Sequence, residues 1–432
     1  MKILVLSRGV VGKGMASPGV RSYHTARVLA EQIPEAEVTL SVPNEPDIES
    51  PHPRLKIVRT GGTLSGFRQM LQADVIVSRN FPPVVVPLFF KKRLALDFFT
   101  PFFIEWMELS KRLTRRGQRN LWVASNRHYS DSQLTLADFV FCSNERQRDL
   151  WIGAMATLGL ISPEIYGKDD KLAHLVSVVP YGVQSGGPEH KEQVLKGVIP
   201  GINPGDKVVI WNGLIVEWFD ADTVIRAMAE VSKSRDDVKL FFLGTNHPDF
   251  VTSVEAPPVQ RAMALSKELG IYDRSVFFNV GWVPYKDIGN YLSEADIGIC
   301  AGYQNLESRY AFRTRFMDLF WAEVPIVTTT GDVLADRIAK DPLGEAIVPG
   351  DHAAMAKAIL RLVEDQEFYD ECVSNMAAMK EELRWERVLE PLIEFCRSDE
   401  EYAQPKRQRF IPLLRRTLAY LIEKSLVPIA RW

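Results

Sequence analysis

Two arginines and a carboxylate fall within six residues, Arg313, Arg315 and Asp318, in the segment from Tyr303 to Val327. At helical spacing, Thr314, Arg315, Asp318 and Ala322 share one stripe. Beside it runs a mostly apolar stripe of Phe312, Phe316, Leu319, Phe320 and Glu323, which reads as core. The spacing predicts a helix over residues 311–323, with Asp318 one turn beyond Thr314 and Arg315. A helix start near Ala311–Arg313 would offer unpaired amides and the positive end of its dipole to a phosphate. Two arginines there would add charge-assisted hydrogen bonds, and Asp318 would be placed to accept from a ribose diol. Two readings stand at this point: a grip on a nucleoside diphosphate, or a surface helix in which Arg315 pairs with Asp318.

Other residues are weighed the same way. Gly9-Val-Val-Gly12-Lys-Gly14 follows an apolar run but has neither the dinucleotide order nor the P-loop spacing. It reads as a glycine turn that lets backbone approach a ligand, or as a plain flexible loop. Ser17-Pro-Gly19-Val-Arg21 opens a helix. Asp97 ends an apolar run and reads as a ligand contact, or as a helix cap. His24 reads as a ligand contact or as a satisfied buried histidine. Asp220-Ala-Asp222 is read as a helix cap rather than a metal-nucleotide string. The seven histidines show no ligand spacing, so no metal site is assigned.

The elements that must position these groups are short apolar runs. In the first half they are Ile3–Ser7, Val38–Val42, Leu55–Val58, Val75–Ser78, Leu94–Phe98, Phe139–Ser143 and Val176–Pro180. In the second they are Val208–Trp211, Leu240–Gly244, Val276–Val280, Ile297–Ala301, Pro325–Thr328 and Ala346–Val348. Runs apolar at every position suit strands covered on both faces. Helical stripes between them, such as Val224, Ala227, Met228 and Val231, point to parallel α/β sheets. The alternation restarts near residue 207, after a Gly- and Pro-rich stretch over 184–205 that reads as a linker. Two doubly wound domains are expected, with ligands beyond the carboxyl ends of their strands.

Composition narrows the function classes. Of 432 residues, 46% are apolar and 25% charged, which excludes wholesale disorder. The net charge of −3 argues against a nucleic-acid binder. Four scattered cysteines, with no CxxC, argue against a disulfide scaffold and fit a reducing compartment. MKILVLSRGVVGKG does not read as a signal peptide, and no long apolar stretch reads as a membrane-spanning helix. Lys111–Arg119 carries five bases, and Lys406–Trp432 carries seven bases against one acid, interleaved with apolar residues. Both suit an anionic membrane surface, or else a solvated helix and a packed tail.

The segment ending Phe312-Arg-Thr-Arg-x-x-Asp318-x-x-Trp-Ala-x-x-Pro325-Ile-Val resembles the donor-binding helix of retaining family 4 (group 1) glycosyltransferases, in particular a subgroup from bacterial polysaccharide gene clusters. Aligned on Pro325, Asp318 falls at the second glutamate of the family's Glu-x7-Glu motif, where the resemblance implies ribose binding. The first glutamate falls on Tyr310, and Glu307 is the carboxylate nearby that the resemblance assigns to the donor sugar. Gly14-Met-Ala-Ser-Pro-Gly-Val-Arg-Ser-Tyr-His24, Leu96-Asp-Phe-Phe-Thr-Pro-Phe-Phe-Ile-Glu105 (with Thr100 in place of an aspartate), Trp211-Asn-Gly-Leu-Ile-Val-Glu-Trp-Phe-Asp220, Gly281-Trp-Val-Pro-Tyr-Lys-Asp287 and Trp385–Cys396 resemble further segments of that subgroup, in the same order. The family's basic pair after the first strand of the second domain is missing from Asn212–Asp220.

The resemblance implies a GT-B fold: two facing Rossmann-like domains over 1–185 (acceptor) and 186–380 (donor). A helix over 381–400 would cross back to the first domain, followed by a basic amphipathic tail over 401–432. It implies transfer of a sugar, with retention, from a UDP-, GDP- or dTDP-sugar to a saccharide or lipid-linked saccharide, in bacterial surface polysaccharide or glycolipid assembly. No cofactor or metal is obligatory in that chemistry. Arg313 and Arg315 are assigned to the leaving diphosphate, Glu307 to the donor sugar and Asp97 to the acceptor side. Asp318 and Thr314 are assigned to the nucleotide, Val283 to the base, and Gly14 and Arg21 to ligand contact from the first domain. The implied location is cytoplasmic, peripheral on the inner membrane through Lys111–Arg119 and Lys406–Trp432. The alternatives are a sugar-nucleotide epimerase of the same architecture and a non-catalytic sugar-nucleotide-binding partner of a polysaccharide complex.

Overall fold

The computed structural model describes residues 1–245, 256–398, 400 and 402–426. The end of the basic tail, residues 427–432, and Glu401 lie outside the described residues, as does Asp399 in the expected crossover region. The chain forms two compact units, one of Met1–Tyr181 joined by Trp385 onward, the other of Gly182–Arg384.

The first unit is built on seven strands: β1 (Lys2–Leu6), β2 (Glu37–Val42), β3 (Leu55–Arg59), β4 (Val75–Ser78), β5 (Arg93–Phe98), β6 (Phe139–Cys142) and β7 (Val176–Val178). They pair in parallel in the order β3-β2-β1-β4-β5-β6-β7. The second unit holds β8 (Lys207–Trp211), β9 (Val238–Phe242), β10 (Val276–Phe278), β11 (Ile297–Cys300), β12 (Ile326–Thr329) and β13 (Gly344–Ile347), in the parallel order β10-β9-β8-β11-β12-β13. Every apolar run of the sequence is a strand, within two residues at either end. The cause is burial from both faces: helices cover each sheet, so the central strands β4, β6, β9 and β11 are buried at every position. The strand order of each sheet reverses once, at β1/β4 and at β8/β11. Those two places open a crevice at the carboxyl ends of the strands.

Two local features depart from expectation. The stretch over 184–205 is not a free tether. The Glu294 carboxylate accepts from the amides of Val194, Leu195 and Lys196 at 2.7, 3.0 and 2.7 Å, and His190 lies 3.1 Å away, so the stretch is tied onto the second unit. The helix expected over 311–323 is broken: Leu306–Tyr310 is one short helix and Arg315–Trp321 another. Burial of the Arg313 side chain on Glu307 folds residues 311–314 out of helical course.

After Trp385 the chain belongs to the first unit. Arg93 donates to the carbonyls of Phe395 and Cys396, and Phe395 stacks on Phe139. The helix Lys406–Leu426 then packs along the helix Arg116–Leu136. No helix among the described residues is long and apolar enough to cross a membrane.

Candidate functional site

In the second unit the residues leaving β8 meet the short helix Arg315–Trp321. The Asn212 amide donates to the Arg315 carbonyl at 2.8 Å and to the Asp318 carboxylate at 3.2 Å. Arg315 reaches back to the Leu214 carbonyl through Nη2 at 2.9 Å. Its guanidinium lies over the Phe219 ring at 3.9 Å and the Trp211 ring at 4.8 Å. Its Nη1 is buried and has no hydrogen-bond partner. Burial lowers the Arg315 guanidinium below its ordinary value, and the nearby Arg313 charge adds to this, against Cys300 and Asp318. Burial likewise pushes the Asp318 carboxyl up to about 6, against the Asn212 hydrogen bond and the Arg315 charge. Among the described residues no ion pair joins Arg315 to Asp318. The surface-helix reading is thereby set aside.

Arg313 is differently placed. It forks onto Glu307, Nη1 to Oε1 at 3.0 Å and Nη2 to Oε2 at 2.9 Å, with Ser308 Oγ accepting at 3.0 Å. Asp332 sits 3.8 Å from its Nε and also caps the helix Val333–Lys340 through the Leu334 and Ala335 amides. Burial works against the Arg313 charge, but Glu307 and Asp332 outweigh it, so its basicity is raised. Both partners are almost fully buried. Where the expectation set Arg313 toward a diphosphate and Glu307 toward a donor sugar, the structure pairs the two side chains with each other. The expected helix-start amides also give way, because the helix at this point is only seven residues long and begins at Arg315. Thr314 is its N-cap, and Val283 is buried in the loop after β10.

In the first unit Arg21 and Asp97 are brought together across 76 residues. Arg21 Nε and Nη2 donate to the two Asp97 oxygens at 2.7 and 2.9 Å. Its Nη1 and Nη2 also donate to the Pro180 and Val179 carbonyls. At 1% exposure Arg21 is consumed by these bonds, so its expected ligand contact becomes one of positioning Asp97. Asp97 lines an open recess with Arg8, Ser22, Ser78, Arg79 and Phe99, at the carboxyl ends of β1, β4 and β5. Arg79 lies over the rings of Phe99 and Phe102 and donates to Thr100 Oγ1 at 3.0 Å.

The glycine turn is held from the side. Val11 and Lys13 amides donate to Asn44 and Asp47. Gly12 has φ +147°, and a Cβ there would strike the Asp47 carboxylate. Gly19 allows the helix Ser17–Gln32 to start against the loop, since a Cβ would fall 2.0 Å from the Val10 carbonyl oxygen. Gly14 has open space around its Cβ position. His24 is the satisfied buried histidine: it stacks on Trp385 at 5.1 Å, and burial, with Arg27, pushes its pKa down to about 3. Asp220 caps the helix Ala221–Val231, accepting from the Thr223 amide at 3.0 Å and hydroxyl at 2.6 Å.

Arg8, Arg79 and Asp332 escape sequence reasoning. The signal for the first two is a base placed within two residues of a strand's carboxyl end. Asp332 carries no local signal beyond its capping position.

Residues 197–379, inside the second unit, match the family model described as glycosyl transferases group 1. The chain is similar in structure to sucrose-phosphate synthase from Thermosynechococcus elongatus, at 17% identity over 92% of this chain and 98% of that one, TM-score 0.64. It is similar to WaaG, a glycosyltransferase involved in lipopolysaccharide biosynthesis, at 15% identity over 92% and 100%, TM-score 0.59. It is also similar to Anabaena Alr3699/HepE in complex with UDP-glucose, at 15% identity over 92% and 98%, TM-score 0.59. No curated protein sequence matches the chain. These likenesses show the fold, two Rossmann-like parallel-sheet domains of the GT-B class.

Proposed function

We propose that this chain is a glycosyltransferase that takes a sugar from a nucleoside-diphosphate sugar and gives it to a hydroxyl of a saccharide or lipid-linked saccharide. The observation that carries the reading is Arg315: a buried guanidinium with an unpartnered nitrogen, beside the weakly held carboxylate Asp318, at the β8/β11 reversal. The group 1 match over residues 197–379 supports it.

In this reaction the bond between the anomeric carbon and the diphosphate oxygen breaks, and its electron pair leaves on the nucleoside diphosphate. The acceptor oxygen forms the new bond and releases its proton. Arg315 meets the charge that develops on the leaving group, in a low-dielectric place where such a charge is stabilised most. It stands in for the basic pair missing from Asn212–Asp220. Arg313, held by Glu307, supports the fold of this segment and the field around Arg315. Asp318 accepts from the ribose hydroxyls, Thr314 contacts the phosphates, and Val283 lies toward the base. In the first unit, Asp97 fixed by Arg21 receives the acceptor with the Gly14 turn. UDP-glucose, bound by the Anabaena protein, is the first donor to test. Retention of configuration and a role in bacterial surface polysaccharide assembly are proposed from the family resemblance.

A thermal-shift panel of UDP-, GDP- and dTDP-sugars tests donor binding, because a ligand of the native state raises its stability by an amount set by its concentration relative to Kd. Product analysis with and without a saccharide acceptor then tests transfer. Stabilisation by one donor and acceptor-dependent product support the reading. Acceptor-free epimerisation, or binding without turnover, replaces it.

A further inference from the structure

We propose that the outward face of the helix Lys406–Leu426 is a docking surface for an anionic lipid bilayer. The inward face is settled by contacts. Arg409 is buried and donates to the Thr135, Leu136 and Ala137 carbonyls and to Asp138. Leu413 is fully buried in the first unit's core, Lys406 pairs with Asp138 at 3.1 Å, and Tyr420 packs on Tyr129 at 4.9 Å. These bases, with Arg416 on Thr135, are tied to protein and unavailable to lipid.

At 100° per residue the opposite arc carries Ile411, Leu414, Leu418, Leu421, Ile422 and Leu426. They are 44–60% exposed, so six large apolar side chains in register lie open along one face. A solvated helix places polar residues there; an apolar stripe of this length marks an interaction surface. Exposed Arg407 and Arg415 lie on the same arc. The helix's one acid, Glu423, is turned inward, 3.5 Å from His128. Pairing of Arg409 with residues 135–138 and of Tyr420 with Tyr129 makes the two helices antiparallel. The stripe therefore runs toward the start of the helix Arg116–Leu136, where Lys111, Arg112, Arg115 and Arg116 are exposed. An apolar stripe flanked by bases suits acyl chains below anionic headgroups.

The test is flotation of the full chain with phosphatidylcholine vesicles, with and without phosphatidylglycerol, in the absence of donor. It reads binding alone, so its outcome is separate from that of the glycosyltransferase reading. Binding to the phosphatidylglycerol vesicles is expected. Leu418→Glu with Ile422→Glu should cut the partition at least about tenfold, since each buried leucine or isoleucine contributes that order. Arg407→Gln with Arg415→Gln should cut it about fivefold per charge, on anionic vesicles only. Leu64→Glu, on an exposed leucine of the helix Thr63–Gln72, should change nothing. Should the glutamate pair lower solubility, Leu418→Ser gives the same direction with a smaller loss. No flotation of the wild type, equal flotation without phosphatidylglycerol, or a wild-type dimer that Leu418→Glu dissolves would each overturn the proposal.

Discussion

Arg313 and Arg315 are two residues apart, share the Phe219 ring between them, and stand in opposite electrostatic situations. Arg313 is closed into a network of Glu307, Ser308 and Asp332, and its charge is spent inside the protein. Arg315 rests on two aromatic rings and donates to the Leu214 carbonyl, its Nη1 is unpartnered, and among the described residues no carboxylate forms an ion pair with it. A buried arginine that is fully paired holds a fold together. One that is stacked but underpaired keeps its field for something that arrives later. In the first unit, Arg21 is likewise taken up by Asp97 and two carbonyls, while Arg79 is stacked on Phe99 and Phe102 and donates to Thr100.

The largest way to break this comparison is Arg313→Ala. It strands Glu307 without its partner in the interior, and should cost about 3–5 kcal/mol in denaturant unfolding. Arg313→Met with Glu307→Leu removes both charges and should recover most of that loss. An equal loss in the double variant would mean that packing, not charge pairing, governs this network. Arg315→Met should leave stability within about 1 kcal/mol, the scale of its ring contacts. It should lower kcat about 100-fold, as expected for a lost transition-state donor. If kcat holds while stability falls as in Arg313→Ala, the two arginines are alike after all.

Asp318→Ala should weaken donor use at least about tenfold, since hydrogen bonds to a charged group contribute roughly 1.5–3 kcal/mol each. The raised carboxyl also sets a pH window. Between the ordinary carboxylate value and about 6, the unfolded chain has lost the Asp318 proton while the native chain keeps it. The empty protein therefore loses stability from this group as pH rises from about 4 to about 6. Donor affinity moves the other way, rising as the carboxylate forms. Asp318→Asn should flatten both profiles, measured by thermal unfolding and by donor titration. The smallest effect expected is that of Asp220→Ala, about 1 kcal/mol for a lost helix cap, with kcat unchanged.

Much of the fold was legible because its cause is local. A strand buried on both faces is mostly apolar, so β6 and β11, apolar throughout, announce themselves in the sequence. The Asp220 cap was legible for the same reason: its partner, Thr223, is three residues away. The site was legible only in outline. The spacing of Arg315 and Asp318 marked them as neighbours, but helical periodicity alone ran the helix straight through residues 311–314. It broke there because Arg313 found buried acids to pair with.

The sequence by itself determined where the strands lie, which helix faces are apolar, and that two arginines and an aspartate would cluster after β11. Those follow from continuous apolar runs and from the 3.6-residue period of helical stripes, which any short window contains. Tertiary structure alone decided which arginine is spent and which is held in reserve. Glu307 and Asp332 approach Arg313 from different helices, Asn212 reaches Asp318 across 106 positions, and Arg21 meets Asp97 across 76. Partner choice in the interior is set by which strands lie side by side, and a linear pattern does not contain that adjacency.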